Sequence, residues 1–271
     1  MSATRLRILA FGAHPDDCDI KAGGAATLYA AQGHQVRFVS VTNGDAGHHE
    51  IGGVELARRR RAESEAASAV AGIEYNVLDI HDGELVPSLE NRKMIIRMIR
   101  TYTPNLILTH RPNDYHPDHR YTAILVQDSA YMVTVPNICT DVPALVTNPV
   151  IAYLSDNFQK PTPFAPTVVV DIDQVIEKKL DMLHCHTSQM YEWLPFNGGR
   201  LEDVPASPQE RRKWLEHRLG QFKAMADRYR GLLVKRYGAD RGEKVKYAEA
   251  FEPCEYGAAL TEDNAPTLFP F

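Results

Sequence analysis

The chain has 271 residues, with 30 Lys and Arg against 35 Asp and Glu, a formal net charge of −5, 44% hydrophobic and 24% charged residues. These are the proportions of a soluble globular protein able to bury a full core, and without a basic excess a general nucleic-acid binder is disfavoured. No apolar run approaches the roughly 20 residues of a membrane span. The opening stretch Met1 to Arg7 does not read as a signal peptide, and Cys18, Cys139, Cys185 and Cys254 are scattered without a C-x-x-C pair, so they read as reduced thiols of a cytoplasmic protein.

In chain order, Arg5 to Phe11 reads as a buried strand and Ala22 to Gln32 as a helix ending at Gly33. Val36 to Thr42 is a β-branched and apolar second strand, and Val54 to Ala71 a helix closed by Gly72. Tyr75 to Leu78, Lys93 to Tyr102, Leu106 to Thr109 and Asp118 to Tyr131 continue as strand, helix, strand, helix. This alternation predicts βαβ units, a parallel sheet and right-handed crossovers. The second half is less regular. Val150 to Leu154 and Val168 to Val170 are further strands, Ile172 to His184 is a helix, and Gln189 to Pro208 is a loop. Gln209 to Tyr237 reads as the longest helix, with Leu215, Leu219, Phe222, Ala226, Tyr229 and Leu233 forming an apolar stripe for the core. A last short strand falls near Tyr247. Repeats, low-complexity linkers and composition boundaries are absent, so the expected architecture is one domain over 1–271: α/β, a Rossmann-like three-layer sandwich with a mostly parallel sheet and an irregular C-terminal part.

Two clusters of chemistry-bearing residues stand out. Gly12-Ala13-His14-Pro15-Asp16-Asp17-Cys18-Asp19 follows the first strand. A tight turn has use for a Gly, a Pro and one Asp; a histidine and three carboxylates exceed that need. Crowded carboxylates repel unless protons or a cation neutralise them, and imidazole with carboxylate suits zinc and its neighbours. His14 and Asp17, spaced H-x-x-D, can reach one ion and leave Asp16 free beside it. The second cluster, His110-Arg111-Pro112-Asn113-Asp114-Tyr115-His116-Pro117-Asp118-His119, follows the fourth strand, with Pro117 placed to begin a helix. In a doubly wound sheet of order 3-2-1-4-5 the first and fourth strands are neighbours, and ligands bind in the crevice at their carboxyl ends. The topology therefore unites two clusters separated by a hundred residues.

His14, Asp17 and one of His116 or His119 make three protein ligands with an open fourth position, the pattern of catalytic zinc. Asp16 is then available as general base for a water, and the remaining histidine can polarise a carbonyl or protonate a leaving group. The parts suit metal-assisted hydrolysis of an amide or ester.

Ala13-His14-Pro15-Asp16-Asp17 together with His116-Pro117-Asp118-His119 resembles the LmbE-like (PIG-L-type) N-acetylglucosaminyl deacetylases. Gly23-Gly24, Thr42-Asn43-Gly44-Asp45-Ala46-Gly47, the Arg60/Glu63 pair and His186-Thr187-Ser188-Gln189 extend the resemblance over residues 5 to 190. It implies a zinc-dependent hydrolase, another divalent metal being an alternative, that removes acetyl from an N-acetylated sugar or related small amide. It also implies His14, Asp17 and His119 as metal ligands, Asp16 as base and His116 as oxyanion stabiliser or acid. Asp118 becomes a residue that orients a histidine, and Arg60, one of the run Arg58 to Arg61, becomes a substrate contact. Cys18 stands where the family often has an acidic residue and is expected to be a small buried side chain. Tyr115, His48, His49 and His186 are left without a role. A homo-oligomer stays open, and the one partner expected is the small substrate.

One rival is another metal-dependent hydrolase, acting on an ester or a phosphoester, and a second comes from a different class. Phosphoester cleavage favours two metals about 4 Å apart, whereas ligands for one are present. A non-catalytic metal-dependent binding protein has no use for Asp16 beside the metal. A dinucleotide oxidoreductase lacks its G-x-G-x-x-G.

Overall fold

The computed structural model describes residues 5–271; the first four residues of the stretch weighed above as a leader lie outside them. The elements of the first half are β1 (Arg7–Gly12), α1 (Asp17–Ala31), β2 (Gln35–Ser40), α2 (Gly53–Ala71), β3 (Glu74–Val77), α3 (Leu89–Tyr102), β4 (Leu106–Thr109) and α4 (Pro117–Met132). They follow the expected alternation, with α1 and α3 starting four or five residues earlier than apolar periodicity suggested. In both cases the polar first turn hides the start: α1 begins with its acidic residues, and α3 begins where Ser88 accepts a hydrogen bond from the Asn91 N–H.

Apolar strands with both faces covered produce one seven-stranded sheet, in which β5 (Val150–Leu154), β6 (Val168–Asp171) and β7 (Ala248–Pro253) complete the order β3-β2-β1-β4-β5-β7-β6. The five strands on the β3 side are parallel, and β7 runs antiparallel to β5 and β6. The last strand expected near Tyr247 is thus β7, wedged between its two predecessors. Two buried apolar clusters cover the two faces: α1 and α5 (Ile176–Cys185) pack on one, α3 and α4 on the other. Cys18 is buried in the first, and all four cysteines are unpaired.

Two expectations for the second half are corrected. The long helix is broken: Pro208–Trp214 is α-helical, Leu215–Arg218 tightens to a 3₁₀ turn, and Leu219–Arg228 and Arg230–Tyr237 are separated at Tyr229, whose φ of −113° is not helical. The stripe nevertheless faces inward, with Leu215, Phe222, Ala226 and Leu233 buried. Periodicity survives a break whenever the pieces pack on one surface, so it could not reveal the interruptions. The stretch read as a loop from Gln189 is partly helical, with a wide π-type run over Ser188–Trp193 continuing into Leu194–Asn197. Its side chains fill the space between α2 and the site rather than a single stripe. Among the described residues no helix is long and apolar enough to cross a membrane.

Candidate metal centre and catalytic cleft

The β1–β4 pairing places Phe11 opposite Thr109, so the turn after β1 and the loop after β4 start side by side. The first turn is held under strain. Asp16 has φ 145°, a region costly for any side-chain-bearing residue, at about 1–3 kcal/mol. The surroundings impose it: the His14 N–H donates to Asp17 Oδ2 at 2.7 Å, while Arg60 donates to the Pro15 carbonyl at 2.9 Å and to Asp16 Oδ1 at 3.1 Å. Of the four consecutive arginines, Arg60 is the one that is buried, and it lines the cleft beside Asp16 rather than facing bulk water.

Three donor groups converge there. His14 Nδ1 lies 3.1 Å from His119 Nε2 and 3.5 Å from Asp17 Oδ2, and His119 Nε2 lies 3.5 Å from Asp17 Oδ1. Ligands about 2.0–2.2 Å from a tetrahedral ion stand roughly 3.3–3.6 Å apart, so this triangle fits a small divalent cation. Other groupings overlap it: His14, His116 and His119; Asp17, His110 and His119; and His14, Asp82, His116 and Asp118 each bring ligand atoms within 4.8 Å of one another. We favour the first triangle because Asp82 and Asp118 approach His14 from its other ring nitrogen, Nε2, at 3.0 and 3.4 Å. Asp114 likewise sits 3.2 Å from Nδ1 of His119, opposite the nitrogen that faces His14. Each histidine thus has a carboxylate behind it to orient it, as ligating histidines commonly do. His14 Nε2, His119 Nδ1 and Asp118 Oδ1 are buried without a well-directed hydrogen bond.

The electrostatics follow from burial and neighbours. Burial opposes a charge on His14, but the carboxylates of Asp118, Asp17 and Asp82 win and raise its pKa well above the usual value. Burial likewise works against the Asp17 carboxylate, yet the facing His119 and His110 hold its pKa well below normal. Burial pushes Asp16 up to about 6 against the pull of Arg60. His110, stacked on His119 with ring centroids 4.1 Å apart, is pushed down to about 4 by burial, and the His119 charge adds to the effect. Its Nε2 accepts from the Ala13 N–H, so it acts as a neutral wall of the site.

His116 caps α4: its Nδ1 accepts from the Asp118 N–H at 3.2 Å. In the neutral ring the hydrogen therefore sits on Nε2, in a residue that lines the cleft. Burial and the neighbouring His14 and His119 lower its pKa. Tyr115, 73% exposed, stands at the lip with its ring 5.7 Å from those of His116 and His119.

The remaining motifs brace this geometry. Gly44 has a φ of 70°, its carbonyl accepts from Arg60, and a Cβ there would collide with that guanidinium. Asp45 accepts from the Asp82 N–H and pairs with His81, tying the loop after β3 to the loop after β2. Glu63 accepts from the Ser188 N–H and from the hydroxyls of Ser188 and Thr187, while Gln189 donates to the Gly47 carbonyl. His186 and Asp19, both fully buried, face each other at 3.3 Å. His48 pairs with Glu192 and His49 stacks on Phe196, both away from the triangle.

Sequence reasoning overlooked Asp82 and Asp114. Asp82 follows a short strand with no motif around it; only the three-dimensional closure through Asp45 brings it to His14. Asp114 had a readable signal, an additional carboxylate inside the second His/Asp run.

The cleft has a volume of about 560 Å³. A larger cavity of about 820 Å³ lies between Arg230–Tyr237 and the C-terminal residues. It contains none of the clustered histidines, so chemistry rather than size locates the site.

A family profile described as PIG-L, GlcNAc-PI de-N-acetylase, matches residues 9–130. A diacetylchitobiose deacetylase of Thermococcus kodakarensis is 31% identical over 205 residues, 70% of this chain and 74% of that protein. The chain belongs to the PIG-L family. A second relative, named 4-oxalmesaconate hydratase, from Pseudomonas putida, is 24% identical across 71% of this chain and 78% of that protein. Among solved structures, the N,N'-diacetylchitobiose deacetylase from Pyrococcus horikoshii superposes with a TM-score of 0.70 at 26% identity, covering 95% of this chain and 88% of that one.

Proposed function

We propose that the protein is a metal-dependent amide hydrolase that removes the acetyl group from an N-acetylated sugar or a related small amide. The observation that carries this reading is the triangle of His14 Nδ1, Asp17 and His119 Nε2 with Asp16 beside it, pinned by Arg60. Family membership and the deacetylase names of the relatives support the same chemistry.

In this reading His14, Asp17 and His119 hold one divalent cation, zinc for preference, because two imidazoles and a carboxylate with an open position are its catalytic set. A cation held there supplies Lewis-acid polarisation of the scissile carbonyl and makes a water more acidic. Asp16 takes the proton of the attacking water as the water oxygen bonds to the carbonyl carbon. Burial suits the carboxyl to this exchange by raising its proton affinity, and Arg60 fixes its direction. His116 donates from Nε2 to the carbonyl oxygen as negative charge builds there. The C–N bond then breaks, the proton held by Asp16 passes to the amine nitrogen, and acetate and free amine leave. Asp114 and Asp118 orient His119 and His14, and Arg60 and Asp82 form the wall where the sugar hydroxyls would lie.

Acetate release from N-acetylglucosamine and N,N'-diacetylchitobiose, measured on metal-stripped protein with and without added zinc, tests the reading. Zinc-dependent release supports it; a zinc-loaded protein that releases acetate from no amide overturns it. The hydratase relative motivates a second reading, in which the same base and cation add water to an unsaturated acid; that reading predicts loss of the substrate double bond without acetate release.

A further inference from the structure

Besides Arg60 and Asp82, the cleft is lined by Lys21, Arg218, Gln221, Ile20 and Asp156. Lys21 lies one turn along α1 from Asp17. Arg218 is the last residue of the 3₁₀ turn Leu215–Arg218, where the expected long helix tightens. Its spacing from the buried Leu215 and Phe222, three and four residues, sets Arg218 on the inward side of this segment.

These two cations are not used by the protein. The buried arginines have their terminal nitrogens taken: Arg60 by Gly44, Pro15 and Asp16, Arg111 by Asp156 and Thr162, and Arg100 by backbone carbonyls including Val133, Met132 and Val135. Arg218, half-buried, makes no side-chain hydrogen bond among the described residues; its Nε, like that of Arg60, is buried without a partner, and its terminal nitrogens, unlike those of Arg60, are not taken either. For both Arg218 and Lys21 the nearby carboxylates act through space, without a side-chain hydrogen bond. Burial lowers the pKa of each cation, and the carboxylates of Asp16 for Arg218, and of Asp17, Asp156 and Asp114 for Lys21, do not make up the loss. The simplest alternative, that the pair merely offsets the acidic cluster, calls for direct ion pairs, and among the described residues neither cation lies within 4.0 Å of a carboxylate oxygen or hydrogen-bonds to one. A half-buried guanidinium with no hydrogen-bonded carboxylate, lining a cleft beside an equally unpaired ammonium, leaves its donors available to an arriving anion.

We propose that Arg218 and Lys21, with the Gln221 amide, form an anion subsite in the cleft, and that the natural substrate is an N-acyl compound carrying a carboxylate or phosphate group. This rests on the amide-hydrolase reading for the chemistry beside it in the cleft, but the anion subsite itself is a property of these side chains. The amide occupies the side of His14, Asp16 and His116, and the anionic substituent lies toward Arg218. Arg218 offers two parallel N–H donors to a planar carboxylate or two phosphate oxygens, and Lys21 adds a point charge.

The test compares zinc-loaded wild type on N-acetylglucosamine, N-acetylglucosamine 6-phosphate and N-acetylmuramic acid, by kcat/KM from acetate release. An acidic substrate is expected to exceed the neutral sugar at least tenfold, and the phosphate and carboxylate arms tell which anion is preferred. Arg218→Gln is expected to reduce that acidic-to-neutral ratio at least tenfold, mainly through KM, and Lys21→Met to reduce it in the same direction. Calorimetric titration with inorganic phosphate provides a readout independent of turnover: wild type binds, and Arg218→Gln binds at least tenfold more weakly. Equal kcat/KM on neutral and acidic sugars, with Arg218→Gln lowering both alike, overturns the subsite. If no amide is cleaved but phosphate binding still depends on Arg218, the hydrolase reading fails and the subsite stands.

Discussion

Helix α1 buries opposite charges at two places and treats them differently. Midway along it, Lys179 and Glu249, 0% and 2% exposed, pair with each other. The Lys179 ammonium donates to the Ile20 carbonyl, while the Glu249 carboxylate accepts the N–H groups of Gly24 and Ala25 at 2.8 Å. The pair is inserted into the helix ladder and takes up backbone groups on both sides of the insertion. At the amino end of the same helix, the imidazoles of His14 and His119 and the Asp17 carboxylate converge on one point instead. A saturated pair can bind nothing further and serves the fold; convergent imidazole and carboxylate groups, each imidazole backed by a second carboxylate, are suited to binding a cation. Gly24 belongs to the first region: a Cβ there would sit 2.7 Å from Ile172 Cγ2 and 3.0 Å from Glu249 Oε1. The second glycine of the sequence motif thus makes room for the inserted pair rather than for a ligand.

If the two regions differ in this way, substitutions should separate activity from stability. The largest expected effect is Asp16→Asn. It keeps size and metal content but removes the base, so kcat should fall by roughly 10²–10⁴-fold with a nearly unchanged urea midpoint. Loss of the metal in elemental analysis would instead make Asp16 a ligand, and unaltered turnover would place the base elsewhere.

Glu249→Ala acts on the opposite side of the comparison. It strands the Lys179 ammonium in the interior, and the expected destabilisation is about 3–5 kcal/mol, read from urea unfolding, with normal kcat per folded molecule. A loss of activity without loss of stability would erase the distinction between the regions. Asp114→Ala should weaken metal binding by roughly 10–100-fold, measured by competition with a chelator, while leaving the metal-free protein as stable as before; an unchanged affinity would remove Asp114 from any role in orienting His119. The smallest effect is expected for Gly24→Ala. The added methyl must displace Ile172 or the Glu249 carboxylate, at about 1–3 kcal/mol, without altering metal affinity. A stabilising outcome, as a better helix former would give on an open surface, would show that the seam tolerates more than its distances suggest.

The His/Asp clusters were legible because each lies on a single turn. Spacing within a turn is a local property, so His14, Asp16 and Asp17, and likewise His116, Asp118 and His119, announce themselves without any fold. Their union was legible too, because strand-helix alternation leaves few topologies and the commonest puts β1 beside β4, as the structure does. The metal set itself needed more. Residues and spacing left His116 and His119 as equals, and only a family resemblance favoured His119. In the structure, His116 spends its Nδ1 on capping α4, whereas His119 turns Nε2 toward His14.

What the sequence determined by itself was therefore the alternation of buried strands and amphipathic helices and the concentration of imidazole and carboxylate at two turns, both encoded in short-range patterns. Tertiary structure alone decided the rest. Asp82 reaches His14 through a loop held by Asp45, and Arg60 is singled out from four like neighbours because α2 turns that one inward. Arg218 meets the cleft because the broken helix that carries it packs beside the turn after β1. Each of these depends on contacts between residues distant along the chain, for which local periodicity carries no signal: a pattern of apolar spacing records which side of a helix is buried, but not which charged residue is buried with it or what it meets there.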